Sequence, residues 1–314
     1  MKRFKNILVY ADGRGESTAA LQRAVELAML NQGRLSVVGV LEELPRDLRS
    51  LAAAMPLEEL QRMAAEGIRE RLDELVAPFR DRGARMEVQV LSGRPFMEII
   101  REVQRSQHDL VMVTEEGTGR FGQMVFGSLN LHLLRKCPCP VWVLKPSQQP
   151  GFARILAAVD PDASDVVRDG VSRNVMELAV SLALLEKGEL HVVNAWEFDE
   201  SKMSHGWRAL VPEAQLRDWG EKTRAAHEQR FQDLLSHFDL DKVRHEVHLA
   251  KGQPGSVIPQ LAAENQIDLI IMGTVARTGI AGYFMGNTAE TVLQGVDCSV
   301  LTVKPDGFVS PVAD

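Results

Sequence analysis

A chain of 314 residues has room for two domains at roughly 150 residues each, and either half is long enough to bury its own core. With 45% hydrophobic and 25% charged residues it has the balance of an ordinary globular protein, and its net charge of −7 argues against a broad footprint for nucleic acid. No apolar run approaches the 18 or so residues of a membrane span, so neither nucleic acid nor membrane is an expected partner.

The predicted elements alternate from the start. The short apolar run Ile7–Ala11 reads as a strand buried on both faces, which fits the opening MKRFKNILVYADG better than a signal peptide does. Ser17 is placed to cap a helix whose Leu21, Ala24, Val25 and Ala28 share one face, and Gly33 is placed to end it. A strand over 35–40 follows. A long helix begins near Pro56, where proline suits the first helical position. Leu60, Ala64, Ile68, Leu72, Leu75 and Phe79 keep its helical spacing, and Gly83 stops it. Strand 86–91, helix 95–107, strand 109–114, a glycine-rich loop, helix 127–135 and strand 140–144 complete the unit. The run of Glu and Arg along 58–74 reads as the wet face of its helix.

The whole pattern then recurs. FKNILVYAD (4–12) matches FARILAAVD (152–160) at an offset of 148, and LSVVGV (35–40) matches LHVVNA (190–195) at 155. From Glu87 against Glu246 the offset settles at 159, and it carries Gly93-Arg94-Pro95 onto Gly252-Gln253-Pro254, DLVMVT (109–114) onto DLIIMG (268–273) and VWVLKP (141–146) onto VLTVKP (300–305). Insertions confined to the connections are what a duplicated fold tolerates. In the second half Leu178, Leu182 and Leu185 mark the first helix, and Leu216, Trp219, Thr223, Leu234 and Phe238 mark the second. The two domains are residues 1–147 and 150–314, joined by Ser147-Gln148-Gln149-Pro150-Gly151. Strands alternating with helices imply, in each, a doubly wound α/β domain with a five-stranded parallel sheet. Both last strands, Val141–Leu144 and Val300–Val303, are short and apolar, and an uncovered apolar edge invites pairing. The halves are therefore expected to associate through these strands as an internal pseudo-dimer, with a homodimer as a further option.

In such a sheet, ligands bind beyond the carboxyl ends of the strands, where strand order reverses. Asp12 and Asp160 end the first strand of each half, and Val40 and Ala195 end the second. The fourth strand runs into a glycine-rich loop and a helix: TEEGTGRFGQMVFGS (114–128) in one half, GTVARTGIAGYFMGN (273–287) in the other. Such a loop offers backbone N–H groups and the positive end of a helix dipole to phosphates. The same residues have structural readings, since Asp12 and Asp160 can cap the next loop and the glycines can be turns. Cys137, Cys139 and Cys298, an odd and sparse set, point to a reducing compartment and read as small buried residues. No metal site is expected at His191, His245 or His248: His191 and His248 lie in strands, and His245, three residues before His248, faces the opposite side. The P-loop, the dinucleotide G-x-G-x-x-G, the G-x-S-x-G elbow and H-E-x-x-H are all missing, and no nucleophile is assembled with a base, so no catalytic residue is assigned.

As a set, ILxxxD, the strand DLVMV or DLIIM, the glycine-rich loop and the VWVLKP or VLTVKP end resemble the universal stress protein family, twice over nearly the whole chain. The chain looks like a tandem two-domain, E-like member. The resemblance implies strand order 3-2-1-4-5 with helices on both faces. It also implies cytoplasmic stress regulation or protection, adenine-nucleotide binding (ATP, with Mg) and at most slow hydrolysis. The family's ATP-binding members carry Asp after the first strand and, after the fourth, Gly, two residues, Gly, nine residues, Gly and Ser or Thr. Neither half keeps all of it. In the first, Gly117, nine residues and Gly127-Ser128 match, but Thr114 replaces the opening glycine, and Glu115-Glu116 put carboxylates where phosphates would lie. In the second, Gly273 and Gly286 match, Ala276 replaces the middle glycine, Asn287 stands in for Ser or Thr as a helix cap, and Arg277 can meet a phosphate. The second half, with Asp160, Ala195, Gly273, Ala276, Arg277, Gly286 and Asn287, is the preferred site. The first, with Asp12, Val40, Thr114, Gly117, Gly127 and Ser128, is the lesser one. An interaction module that has lost nucleotide binding is the alternative.

Overall fold

The computed structural model describes residues 4–12, 18–43, 56–115, 127–145, 151–198, 210–274 and 285–313. In the first half, β1 (Asn6–Tyr10), α1 (Thr18–Asn31), β2 (Arg34–Leu41), α2 (Leu57–Arg80), β3 (Met86–Ser92), α3 (Pro95–Ser106), β4 (Leu110–Thr114), α4 (Ser128–Lys136) and β5 (Val141–Leu144) follow one another. The second half repeats them as β6 (Arg154–Ala158), α5 (Val166–Glu186), β7 (Glu189–Trp196), α6 (Glu213–Leu235), β8 (His245–Lys251), α7 (Pro254–Glu264), β9 (Leu269–Gly273), α8 (Asn287–Gly295) and β10 (Ser299–Val303). The observed bounds differ by a residue or two from those read off the sequence. Pro56 precedes the first turn of α2 as its N-cap instead of opening it, and Ser17, the expected cap of α1, lies outside the described residues.

All ten strands form one sheet in the order β3-β2-β1-β4-β5-β10-β9-β6-β7-β8. Each half is thus a five-stranded parallel sheet of order 3-2-1-4-5, and the two meet at their last strands, which pair antiparallel with Trp142 opposite Leu301 and Val143 opposite Val300. The edge that would have been open in either half is covered by the other. One face of the sheet is packed by residues of α1, α2, α5 and α6, among them Leu21, Leu72, Leu182 and Phe231. The opposite face is packed by α3, α4, α7 and α8, with Ile99, Leu133, Ile258 and Val292. In α2 the expected apolar face is buried at Leu72, while Ala64 is exposed, so only the later turns of that helix pack on the sheet.

The repeat is conserved in backbone detail between the halves. Gln32 and Lys187, just past α1 and α5, both take positive φ, at 53° and 54°. The glycines that follow approach the chain so closely that a Cβ on Gly188 would lie 2.6 Å from the Phe152 carbonyl oxygen; only glycine fits there. The Asp that opens each fourth strand has a structural task. Asp109 accepts the backbone N–H groups of Lys5 (2.7 Å) and Asn6 (3.0 Å), and Asp268 accepts that of Arg154 (2.8 Å). A carboxylate thus satisfies amides at the start of the neighbouring first strand.

The junction is also held by side chains. Arg23 of α1 pairs with Glu186 of α5, and its guanidinium lies over the rings of Trp142 and Phe152, 5.6 and 5.5 Å from their centroids. Lys145 reaches Asp297 (2.5 Å) and Arg135 reaches Glu290 (2.6 Å). Among the described residues, no helix is long and apolar enough to cross a membrane.

Candidate functional site

Beyond the carboxyl ends of β6, β7 and β9 lies a cavity of about 950 Å³, toward the upper end of the range for small-molecule sites. It falls where the strand order of the second half reverses, as a doubly wound sheet dictates. Asp160, Ala195, Gly273, Gly286 and Asn287, all proposed from the sequence, line it together. Ala276 and Arg277 fall outside the described residues, as does Gly117 of the first half.

Gly273 has a packing reason to be glycine, since a Cβ there would stand 2.5 Å from Val171 Cγ1. Asp160 points into an ionic cluster that the sequence did not reveal. Its Oδ2 accepts from Arg168 Nη2 at 2.5 Å, and Arg168 Nη1 donates to Asp162 at 2.7 Å. The Asp160 N–H donates to the buried Ser172 hydroxyl. The Ser164 hydroxyl, with smaller help from Arg168 and Arg230, holds the Asp162 carboxyl below the usual carboxylate range. Arg168 is placed by α5 itself, whose N-cap Asp165 accepts the Val167 and Arg168 N–H groups at 3.1 Å. Only the folding of the connection after β6 brings Asp160, Asp162 and Arg168 into one group, so residue spacing carried no clear signal of it.

At the mouth, α8 begins after Gly286, and among the described residues no side chain caps it. The expectation that Asn287 would cap is corrected: Asn287 is the first helical residue, one position too late for its side chain to reach back over the first turn. The Gly286 N–H donates to the Thr274 carbonyl at 3.1 Å.

The corresponding place in the first half is built differently. Thr114 ends β4 buried, Gly127 is the N-cap of α4 and Ser128 its exposed first residue. Glu115 is only 3% exposed. It accepts from the Gly127 N–H (3.1 Å) and from Asn130 Nδ2 (2.9 Å). A carboxylate of the chain itself thus sits on the helix N-terminus, where an incoming anion would bind. Glu116 lies outside the described residues. Asp12 and Val40 close β1 and β2 on this side, partly buried.

At the position of Glu115, the second half has Thr274. Its hydroxyl accepts from Lys304 Nζ at 2.5 Å, and the same ammonium donates to the Leu134 carbonyl across the junction at 2.5 Å. Burial pushes Lys304 down to about 8. The three cysteines are buried, as small residues next to strands should be, and burial drives the Cys298 thiol up to about 12.

Fold and site together define a tandem doubly wound α/β protein whose repeats differ at one helix N-terminus, held by the chain's own carboxylate in the first and without a side-chain cap among the described residues in the second. The universal stress protein family model matches residues 3–145 and again 151–304, and the chain belongs to that family. Along its length it is similar to Universal stress protein E of Photorhabdus laumondii, at 28% identity over 99% of this chain and 98% of that one. It is also similar to the protein of that name from Escherichia coli K12, at 29% identity with the same coverage. Among solved structures, a functionally unknown protein from Pseudomonas aeruginosa superposes with a TM-score of 0.70 at 23% identity, covering 97% of this chain and 94% of that one. A universal stress protein from Archaeoglobus fulgidus does so at 0.65 and 17%, covering 96% and 98%. The chain is a tandem, E-like member of the family.

Proposed function

We propose that the second half binds an adenine nucleotide such as ATP, with Mg, in the cavity lined by Asp160 and Ala195, and that the first half does not. The observation that carries this reading is the contrast at the two helix N-termini, where Glu115 lies on the start of α4 and, among the described residues, no side chain caps α8. A unit charge near 4 Å at a surface-like dielectric is worth on the order of 4 kcal/mol before screening, which is more than the mild obstruction of the Ala276 methyl. On binding, a ribose hydroxyl competes with Arg168 for the Asp160 carboxylate. The freed guanidinium then turns to the ligand's negative charge. Gly273, Gly286 and Asn287, with Ala276 and Arg277 on the intervening loop, hold the phosphates. The role is stress regulation or protection in the cytoplasm, as an internal pseudo-dimer or a homodimer, with at most slow hydrolysis.

The blocked first half favours a second reading for that half alone, as an interaction module without a ligand. Equilibrium titration of ATP against the purified chain tests both. Asp160→Ala should weaken binding by tenfold or more, the loss expected for about 1.5–3 kcal/mol of charged hydrogen bond, and Asp12→Ala should leave it unchanged. Equal loss from the two variants places the nucleotide wrongly, and absence of binding leaves the whole chain as an interaction module. Native mass spectrometry of freshly purified protein adds an independent view of any nucleotide carried along.

A further inference from the structure

On the same face of the second sheet as Ala195, but toward the start of the strands, three potential metal ligands converge. His191 of β7 is paired in register with Glu246 of β8, and His248 lies two residues further along β8 on the same side. His191 Nδ1 and His248 Nε2 are 3.0 Å apart, and Glu246 Oε2 is 3.8 Å from His191 Nδ1. One donor atom from each of the three lies within 4.8 Å of the others.

We infer that His191, Glu246 and His248 form a binding site for a zinc-like divalent transition metal. Ligands about 2.0–2.1 Å from a tetrahedral ion stand roughly 3.3 Å from one another, so the set closes on an ion by small side-chain rotations with no movement of the backbone. Two imidazoles and one carboxylate suit zinc, copper or nickel in preference to magnesium or calcium. Glu246 is solvent-exposed, which gives the ion a way in and leaves room for water at a fourth position.

Two observations separate this cluster from a casual surface group. His191 is 3% exposed, and its Nε2 has no hydrogen-bond partner among the described residues. The cost of burying this ring is therefore met only through Nδ1, and a neutral imidazole pair shares a single proton across that contact. An ion replaces the proton with bonds to both rings. The repeat also supplies an internal control. The corresponding positions of the first half hold Ser36, Glu87 and Gln89 at the same register. The carboxylate is there in both halves, and both imidazoles are found in the second alone.

The test is titration of the full chain, stripped with a chelator, with zinc chloride against a competing chromogenic indicator. One zinc per chain is expected. His248→Ala should weaken it by about 100-fold or more, the upper end of what loss of even an outer-shell partner costs. Glu246→Gln, at an exposed position that cannot endanger the fold, should weaken it in the same direction. His245→Ala, on the opposite face of β8, should leave it unchanged. Circular dichroism confirms that each variant is folded. Absence of zinc uptake, or uptake that survives both His248→Ala and Glu246→Gln and so belongs to the cysteines or other histidines, overturns the assignment and leaves a hydrogen-bonded histidine pair.

Discussion

The residue that follows the fourth strand is Glu115 in one half and Thr274 in the other, and much of the difference between the two repeats stems from it. Glu115 folds onto the start of α4 and satisfies the amide of Gly127 and the side chain of Asn130. Thr274 is drawn the other way, to the buried ammonium of Lys304, and the start of α8 lines the cavity with no side-chain cap among the described residues. The lysines at matching positions diverge in step: Lys145 ends at Asp297 on the surface of the junction, and Lys304 lies in the interior. A duplicated fold can therefore keep one backbone and finish its two helix N-termini differently. An anion-binding end is stable either with a ligand or with a carboxylate of its own.

The comparison rests on a rigid shared frame, and the largest effect is expected there. Trp142, fully buried, lies directly across the junction from Leu301, its counterpart in the repeat. Trp142→Ala should cost about 3–5 kcal/mol and Leu301→Ala about 2–5 kcal/mol, read from denaturant unfolding. A single transition in both variants would show that the halves unfold as one unit; two separated transitions would show that the frame is not shared.

The Lys304 contrast is sharpened by pH. Its amine titrates at about 8 in the folded chain against an ordinary 10.5. Between those values the unfolded chain binds more protons than the folded one, so stability rises as pH rises from 8 to 10.5. Below pH 8 the cost of the buried charge is present in full. The gain over the window is on the order of 3 kcal/mol, at about 1.4 kcal/mol per pH unit. Lys304→Met should remove this rise, measured as the difference between the two stability-versus-pH curves. Parallel curves would mean that the ammonium carries no burial cost.

The smallest effect goes to the heart of the comparison. Glu115→Ala leaves the Gly127 amide and the buried Asn130 without their acceptor and should cost about 1–3 kcal/mol. The same change removes the carboxylate from the start of α4 and, on the proposed reading, the charge that would repel an anion there. ATP binding should therefore gain a second, weaker site that Asp12→Ala abolishes. If the first half stays silent, the block lies elsewhere in its loop.

The sequence alone determined the architecture because buried parallel strands must be short apolar runs and their connecting helices must show a helical stripe. Ile7–Ala11 and the matched ends at Val141 and Val300 left little freedom, and the matched apolar edges made association through the last strands an expectation, while the antiparallel sense of that pairing came from the tertiary structure. The sequence also named five residues of the cavity lining, Asp160, Ala195, Gly273, Gly286 and Asn287, since strand ends and glycine-rich loops occupy fixed places in this fold. Only the tertiary structure decided which residues meet there. Glu115 and Gly127 are joined by the return of the chain to the sheet, and Arg168 reaches Asp160 because α5 turns it back. His191, 57 residues from His248, meets it because two strands align in register. Spacing along one strand tells which face a side chain takes; the partner across the sheet is set by register and burial, which no local pattern encodes.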